Sequence, residues 1–385
     1  MTSSKGNFRF RMNTDINFGL SISSNISKLI RQKGLKKPFI IVDHNVLSNK
    51  DIKNIIKDLH RSFNSGKFTC KIAEPNYDYL DSVKNILIDE TLDCLVAIGG
   101  GSVMDLSKGL AVLLKNEGPS ISFKGFPKNI EEPLPVITVP TLAGTGSEIA
   151  YNAVFTDSKN KMRLGINTEK NYPILSIIDP LLTLSAPRNA VISGSLDCLN
   201  HITEGFISVN SSKFTREISK SAFFLWRESI TKLMEDFESI EAREELFMSS
   251  IFANMALNNV GSGLGGDFSY PLGALHGVPH GVGEGIFLPY LYTLYVERGF
   301  TGFAGLYDAL SLPGDEIDDK EKSEAFCNII KEIYNDIQAP SNLNDFGLNR
   351  EMIPSLVDAV RPSFSSAPVD FDEVDATELL ENFIL

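Results

Sequence analysis

Leu92-Asp93-Cys94-Leu95-Val96-Ala97-Ile98-Gly99-Gly100-Gly101-Ser102-Val103-Met104-Asp105-Leu106-Ser107-Lys108 decides how this chain folds. An apolar run of strand length meets three glycines and passes straight into a helical pattern carried by Val103, Leu106, Leu110 and Leu113. Where a strand enters a helix through glycines, backbone N–H groups point outward and the helix dipole favours an anion. Without β-carbons, a pyrophosphate can approach the backbone closely. Ser102 is expected to cap the helix and add a hydroxyl donor. The spacing is not the GxGxxG fingerprint, because Met104 stands where its third glycine would be. The same glycines also suit a plain strand-to-helix turn.

Around this stretch the pattern repeats. Residues 38–42 read as a buried strand ending at Asp43, followed by a helix through Ile52, Ile55, Ile56 and Leu59. Residues 68–72 form a second strand, 79–88 a helix, 92–98 a third strand, and 134–139 a further strand closed by Pro140. Such alternation predicts a parallel α/β sheet. From about Pro187 the character changes to long helical patterns with no convincing strand. Pro180 and Pro187 punctuate the junction. The division expected is an α/β domain over residues 1–185 and an all-α domain over 186–385. Residues 362–375 are rich in Ser, Pro and acid, a surface connection before a last short helix.

The 385 residues are 43% hydrophobic and 22% charged, ordinary for a soluble globular protein large enough for two cores. Thirty-six basic against 49 acidic residues give a formal charge of −13, and nothing in that balance steers toward nucleic acid, which wants a basic face. The four cysteines form no CxxC pair, as expected of reduced thiols in the cytoplasm. The N-terminus lacks the apolar core of a signal peptide, and no apolar stretch reaches the ~20 residues that span a membrane.

Three further segments carry chemistry. Thr141-Leu142-Ala143-Gly144-Thr145-Gly146-Ser147-Glu148 follows a strand, and its small hydroxylated residues suit either a nucleotide or a helix-opening loop. Asp43, at a strand end, can accept hydrogen bonds from an adenosine ribose and would repel a 2′-phosphate; it also suits a turn beside Asn45. Asp197 and His201 lie four residues apart, on one face of a helix, and His276-Gly277-Val278-Pro279-His280-Gly281 adds two imidazoles. Together they suggest a divalent metal that activates a substrate oxygen. Singly, they suit a helix pair and a loop histidine.

Taken together, these segments resemble the iron-containing, or group III, alcohol dehydrogenases. Gly99 to Lys108 is similar to that family's GGGSxxDxAK segment, and Pro140 to Glu148 to its PTTAGTGSE segment. Asp197 to Glu204 is similar to its DxxxHxxE helix. Tyr270-Pro271-Leu272-Gly273-Ala274 with Pro279-His280-Gly281 is similar to its PLGxxxxxPHG element. Order and spacing match over nearly the whole chain. The resemblance implies a dinucleotide-binding α/β domain, an all-α domain of the dehydroquinate synthase-like type, and a homodimer. It implies an NAD(H)-dependent oxidoreductase for alcohols and aldehydes that uses zinc or iron.

Carried over by residue, Gly100, Gly101 and Ser102 would meet the pyrophosphate, Thr141 and Thr145 line the nucleotide pocket, and Asp43 takes the adenosine ribose. Arg163 or Lys161 would fill the place of a family lysine near the nicotinamide ribose. Asp197, His201 and His280 would bind the metal. Two departures stand out. The family's fourth ligand, a histidine fourteen residues before the PHG histidine, is here Gly266; four residues on, where many members have a second histidine, stands Tyr270. Three protein ligands plus water still make a catalytic metal site, and Asp267 or His276 could alternatively supply the missing contact; Tyr270 and His276 are the catalytic candidates. Tyr270 would relay a proton or simply pack. The pairing of Tyr270-Pro271-Leu272 with Asp197-Cys198 resembles members acting on polar sugar or phosphonate substrates. Two other readings remain: a lyase of the dehydroquinate-synthase branch, whose first ligand is a glutamate where this chain has Asp197, and a non-catalytic NAD-binding protein, motivated by Gly266.

Overall fold

A computed structural model describes residues 7–72, 74–160, 162–311 and 317–384. The chain forms two compact units: Met12–Pro187, and Arg188–Leu385 together with the N-terminal segment up to Arg11. The first unit therefore starts later than residue 1. Phe8 and Phe10 pack on the Phe214 ring, with centroids 5.7 and 4.9 Å away. Arg11 exchanges backbone hydrogen bonds with the Asn259 amide, at 2.7 and 3.1 Å.

The first unit is built on six parallel strands: β1 (Asp15–Phe18), β2 (Pro38–Asp43), β3 (Lys67–Cys70), β4 (Cys94–Gly99), β5 (Val136–Pro140) and β6 (Leu175–Ile178). Their order is β1-β6-β5-β4-β2-β3. The three central strands β2, β4 and β5 are apolar on both faces, as a sheet covered by helices on both sides requires. Alternate residues feed two cores. Phe39, Ile41, Leu95 and Ala97 pack with α3 (Tyr77–Leu87) and α4 (Gly101–Leu113). Ile40, Val42, Val96 and Ile98 pack with α1 (Ile26–Gln32) and α2 (Lys50–Phe63).

Chain direction across the sheet reverses between β2 and β4, the kind of switch point where open α/β sheets bind ligands at strand C-termini. Asp43 and Gly99 end these two strands. A β-carbon on Gly99 would lie 2.9 Å from Asp43 Cβ, so only glycine fits there. One expectation is corrected: Gly100, not Ser102, is the N-cap of α4, and it offers no side-chain cap. The helix begins one residue earlier than Ser102, leaving Ser102 in its first turn.

The second unit is helical. α5 (Arg188–Ile207) is buried along most of its length, against α6 (Lys213–Glu235) and α7 (Ile240–Val260). The Trp226 indole N–H donates to Ser195 O at 2.7 Å and fixes the α5–α6 contact. α8 (Leu264–His276) ends at Gly277, whose φ of 66° is left-handed, and α9 (His280–Gly285) follows. α9 is the element that builds the site. A β-carbon on Gly281 would sit 2.0 Å from Ser193 O, and one on Gly285 would sit 2.4 Å from Leu196 Cβ. Glycines four residues apart thus let α9 lie directly on α5. No helix among the described residues is long and apolar enough to cross a membrane.

Candidate metal centre and nucleotide loop

On α5, Asp197 and His201 stand one turn apart, with Asp197 Oδ1 3.2 Å from His201 Nε2. On α9, His280 and Glu284 repeat that spacing, with His280 Nε2 3.0 Å from Glu284 Oε1. Glu284 Oε2 lies 3.8 Å from His201 Nε2 and links the two helices. Asp197, His201 and Glu284, all buried, each offer a ligand atom within 4.8 Å of the others. Asp197 Oδ1 and His201 Nδ1 have no hydrogen-bond partner among the described residues. Tyr270 stacks on His280, centroids 5.7 Å apart and rings inclined by 22°.

The electrostatics of this cluster are unbalanced. Burial, then the charge of Glu284, pushes the Asp197 carboxyl up to about 7, against His201 and His280. Burial and Glu284 also push Glu204 up to about 8, against N–H donation from Gly266 and Gly263. Burial pushes the His201 imidazole down. Carboxyls that resist ionising beside the His201 imidazole, which resists protonation, form a donor set of oxygen and nitrogen lacking positive charge. A divalent ion such as iron or zinc fits it.

Metal removal should expose this imbalance as a pH dependence. A carboxyl whose folded pKa lies above its unfolded value of about 4 binds more protons when folded, so stability falls as pH rises between the two values. With Asp197 at about 7 and Glu204 at about 8, the chelated protein should lose stability from mildly acid pH up to about pH 8. We expect its melting temperature to drop by roughly 5 °C or more over that range. Added metal should flatten the slope. A flat profile in the chelated protein would show that the carboxylates are satisfied without a cation.

Glu204 itself acts as a tertiary cap. Gly263, the N-cap of α8, has no side chain, and Glu204 Oε1 accepts from Gly266 N–H at 2.9 Å. The alternative by which Asp267 or His276 supplies a fourth contact finds no support in the geometry. Asp267 accepts a hydrogen bond from the Ser262 hydroxyl at 3.4 Å, and neither residue joins the converging ligand atoms. His276 ends α8, and burial pushes its pKa down. Glu284 is the residue that sequence reasoning missed. Its signal was present: it follows His280 at the spacing by which His201 follows Asp197.

In the first unit, the structure gathers Asp43, Gly99 to Ser102, Thr141 and Thr145 at the ends of β2, β4 and β5. Thr141 N–H donates to Gly99 O at 3.0 Å. A β-carbon on Gly101 would lie 3.1 Å from Thr145 Cγ2 and Oγ1, whereas one on Gly100 would meet nothing within 4 Å. Gly100 therefore opens α4 onto free space, as an anion cradle needs. The Asp43 carboxylate accepts from Asn45 N–H at 2.8 Å, which is the turn expected beside Asn45.

Asp105 and Lys108 brace this loop from beneath. The buried Lys108 ammonium donates to Ser147 Oγ at 2.7 Å and Ser147 O at 3.2 Å, and pairs with Asp105 at 3.0 Å. Asp105 also accepts from Ser147 Oγ at 2.7 Å. Arg163 lies in a short antiparallel ladder of Thr156–Asp157 with Met162–Arg163, and its guanidinium pairs with Glu74 at 2.8 Å. Lys161 lies outside the described residues.

A parallel α/β unit with a glycine turn at its switch point thus precedes a helical unit with a buried carboxylate–imidazole cluster. The family model described as "Iron-containing alcohol dehydrogenase" matches residues 13–180, and its C-terminal counterpart matches residues 191–383. The chain belongs to the iron-containing alcohol dehydrogenase family, oxidoreductases acting on CH–OH groups. It is 29% identical over 270 residues to a 1,3-propanediol dehydrogenase of Citrobacter freundii, covering 70% of each chain. It is 26% identical to an NAD-dependent methanol dehydrogenase of Bacillus methanolicus, over 85% of this chain and 86% of that one. A solved 1,3-propanediol oxidoreductase shares the fold with a TM-score of 0.90 at 23% identity, covering 97% of this chain and 99% of that one.

Proposed function

We propose that the chain is an NAD(H)-dependent, metal-assisted alcohol dehydrogenase or aldehyde reductase for a small polar substrate, such as a sugar or phosphonate alcohol. The carrying observation is the buried convergence of Asp197, His201 and Glu284, with His280 joined to it through Glu284. A divalent ion, iron or zinc, would polarise the substrate oxygen, and a nicotinamide would exchange hydride with the adjacent carbon. Asp197, His201 and His280 would hold the ion. Backbone N–H groups at Gly100 and Gly101, with the Ser102 hydroxyl, would take the pyrophosphate, and Thr141 and Thr145 would line the nucleotide. Tyr270, stacked on His280, would present a phenol to relay a proton. The dehydrogenases of propanediol and methanol among the relatives support a short, polar substrate.

Arg163 is the weaker part of the nucleotide assignment, since Glu74 engages its guanidinium. A homodimer in the cytoplasm completes the proposal; four buried cysteines without a disulfide accord with a reducing compartment. The test is NADH formation from a panel of short diols and hydroxy acids by protein loaded with iron or zinc. Absence of turnover with every alcohol and aldehyde tried would overturn the reading.

Asp43 should set the nucleotide preference. A carboxylate beside the adenosine ribose opposes a 2′-phosphate at close range. Asp43→Gly should improve NADP(H) binding relative to NAD(H) by roughly tenfold, about 1.4 kcal/mol. Fluorescence titration with both reduced nucleotides checks this. Tighter NADPH than NADH binding by the unmodified protein would refute it.

A further inference from the structure

Gly266 leaves a gap beside the cluster, and the surrounding side chains show what fills it. A β-carbon on Gly266 would lie 3.3 Å from Glu284 Oε1, 3.5 Å from Asn200 Nδ2 and 3.5 Å from Glu204 Oε2. Of these, Glu204 already serves the α8 backbone through Gly266 N–H. Glu284, only 2% exposed, reaches both imidazoles, at 3.0 Å from His280 Nε2 and 3.8 Å from His201 Nε2. The third glycine of α9, Gly283, lets the helix pass close to α8; a β-carbon there would sit 3.2 Å from Ser269.

The hydrogen-bond network assigns the His280 tautomer. Ser269 has one hydroxyl proton and donates it to Gly266 O at 2.7 Å. Toward His280 Nδ1, 2.8 Å away, Ser269 Oγ is then an acceptor, so Nδ1 carries the imidazole proton. Nε2 is then the ring nitrogen turned toward Glu284 Oε1, 3.0 Å away. Glu284 in turn brings a ligand atom within 4.8 Å of those of Asp197 and His201.

We propose that Glu284 is the fourth metal ligand, reaching in from α9 to replace the side chain that α8 lacks at Gly266. This inference rests on the metal-assisted reading above. Two carboxylates and two imidazoles then surround the ion, and the doubly negative set balances a divalent charge. Gly266 and Glu284 are a matched pair: the carboxylate uses the room that the glycine leaves.

The rival role for Glu284 is an outer carboxylate that only orients His280. Such neighbours typically change metal affinity by roughly 10–100-fold. The test uses the full chain, with zinc and ferrous iron as probes, chelator competition for affinity, and elemental analysis for content. Glu284→Gln keeps the shape, and should weaken binding by about a thousandfold or more, beyond the orienting range. Gly266→His placed in Glu284→Ala should restore affinity to within about tenfold of the unmodified protein, because a new ligand enters the same space. The visible spectrum of the cobalt-substituted protein should change with Glu284→Gln and change again with the Gly266→His rescue. Rescue also guards against a variant that merely misfolds. If His201→Ala strips the metal but Glu284→Gln weakens binding by no more than about a hundredfold, or Gly266→His fails to rescue a folded Glu284→Ala, Glu284 is not a ligand and the metal reading stands. If the unmodified protein binds neither ion, the metal reading itself fails.

Discussion

Replacing His201 with alanine should strip the metal and lower kcat/KM for alcohol oxidation by a factor of about 10³ or more. His201 is the hinge of the cluster: its Nε2 lies 3.2 Å from Asp197 Oδ1 and 3.8 Å from Glu284 Oε2, so it joins α5 to α9. Without its imidazole, two buried carboxylates would face each other with less to offset them, and Glu284 already pushes Asp197 upward. Loss of Lewis-acid polarisation costs several kcal/mol of transition-state stabilisation, and each 1.4 kcal/mol, roughly, is a factor of ten in rate. Nucleotide affinity is the internal control. The glycine loop belongs to the Met12–Pro187 unit, so NADH should bind His201→Ala as it binds the unmodified protein. Exhaustive chelation should reproduce the variant. A folded His201→Ala protein that keeps both its metal and its turnover would remove the cluster from the reaction.

How much of this was legible in the sequence follows from what each feature depends on. Strands β2, β4 and β5 announce themselves as apolar runs, because both of their faces are covered. Strands β1 and β6 do not. Each has four residues, and Asp15 and Asn17 in β1 and Ser176 in β6 break the apolar run. They are strands because they pair with each other, and β6 also pairs with β5, a tertiary fact. The glycine turn was readable, but the bracing of Ser147 by Asp105 and Lys108 spans about forty positions and was not. Likewise the pairing of Arg163 with Glu74, remote in sequence, could not be read from it.

The proposed metal ligands divide in the same way. Asp197, His201 and His280 are legible from residue type and spacing. Looking back from His280 finds only Gly266, and the neighbouring Asp267 faces Ser262 instead. The replacement we propose, Glu284, lies one turn forward, and it reaches the cluster because Gly281 and Gly285 let α9 close onto α5.

Gly101→Val should abolish measurable NADH binding, a loss of at least about a hundredfold or roughly 2.7 kcal/mol. The first β-carbon would already lie 3.1 Å from Thr145 Cγ2 and Oγ1, so a branched side chain must displace the Thr145 loop or project into the cradle. Either response removes the arrangement in which backbone N–H groups at the start of α4 meet an anion. Gly100→Ala separates these two causes. Its β-carbon meets no protein atom within 4 Å, and its φ of −86° suits alanine, so the fold should be untouched. A methyl group in that open space would instead crowd a bound pyrophosphate, and we expect roughly a tenfold loss of NADH affinity with unchanged melting temperature and metal content. Fluorescence titration of NADH with both variants reads the result directly. If Gly100→Ala and a folded Gly101→Val both bind NADH as the unmodified protein does, the pyrophosphate lies elsewhere, and these glycines serve only the turn from β4 into α4.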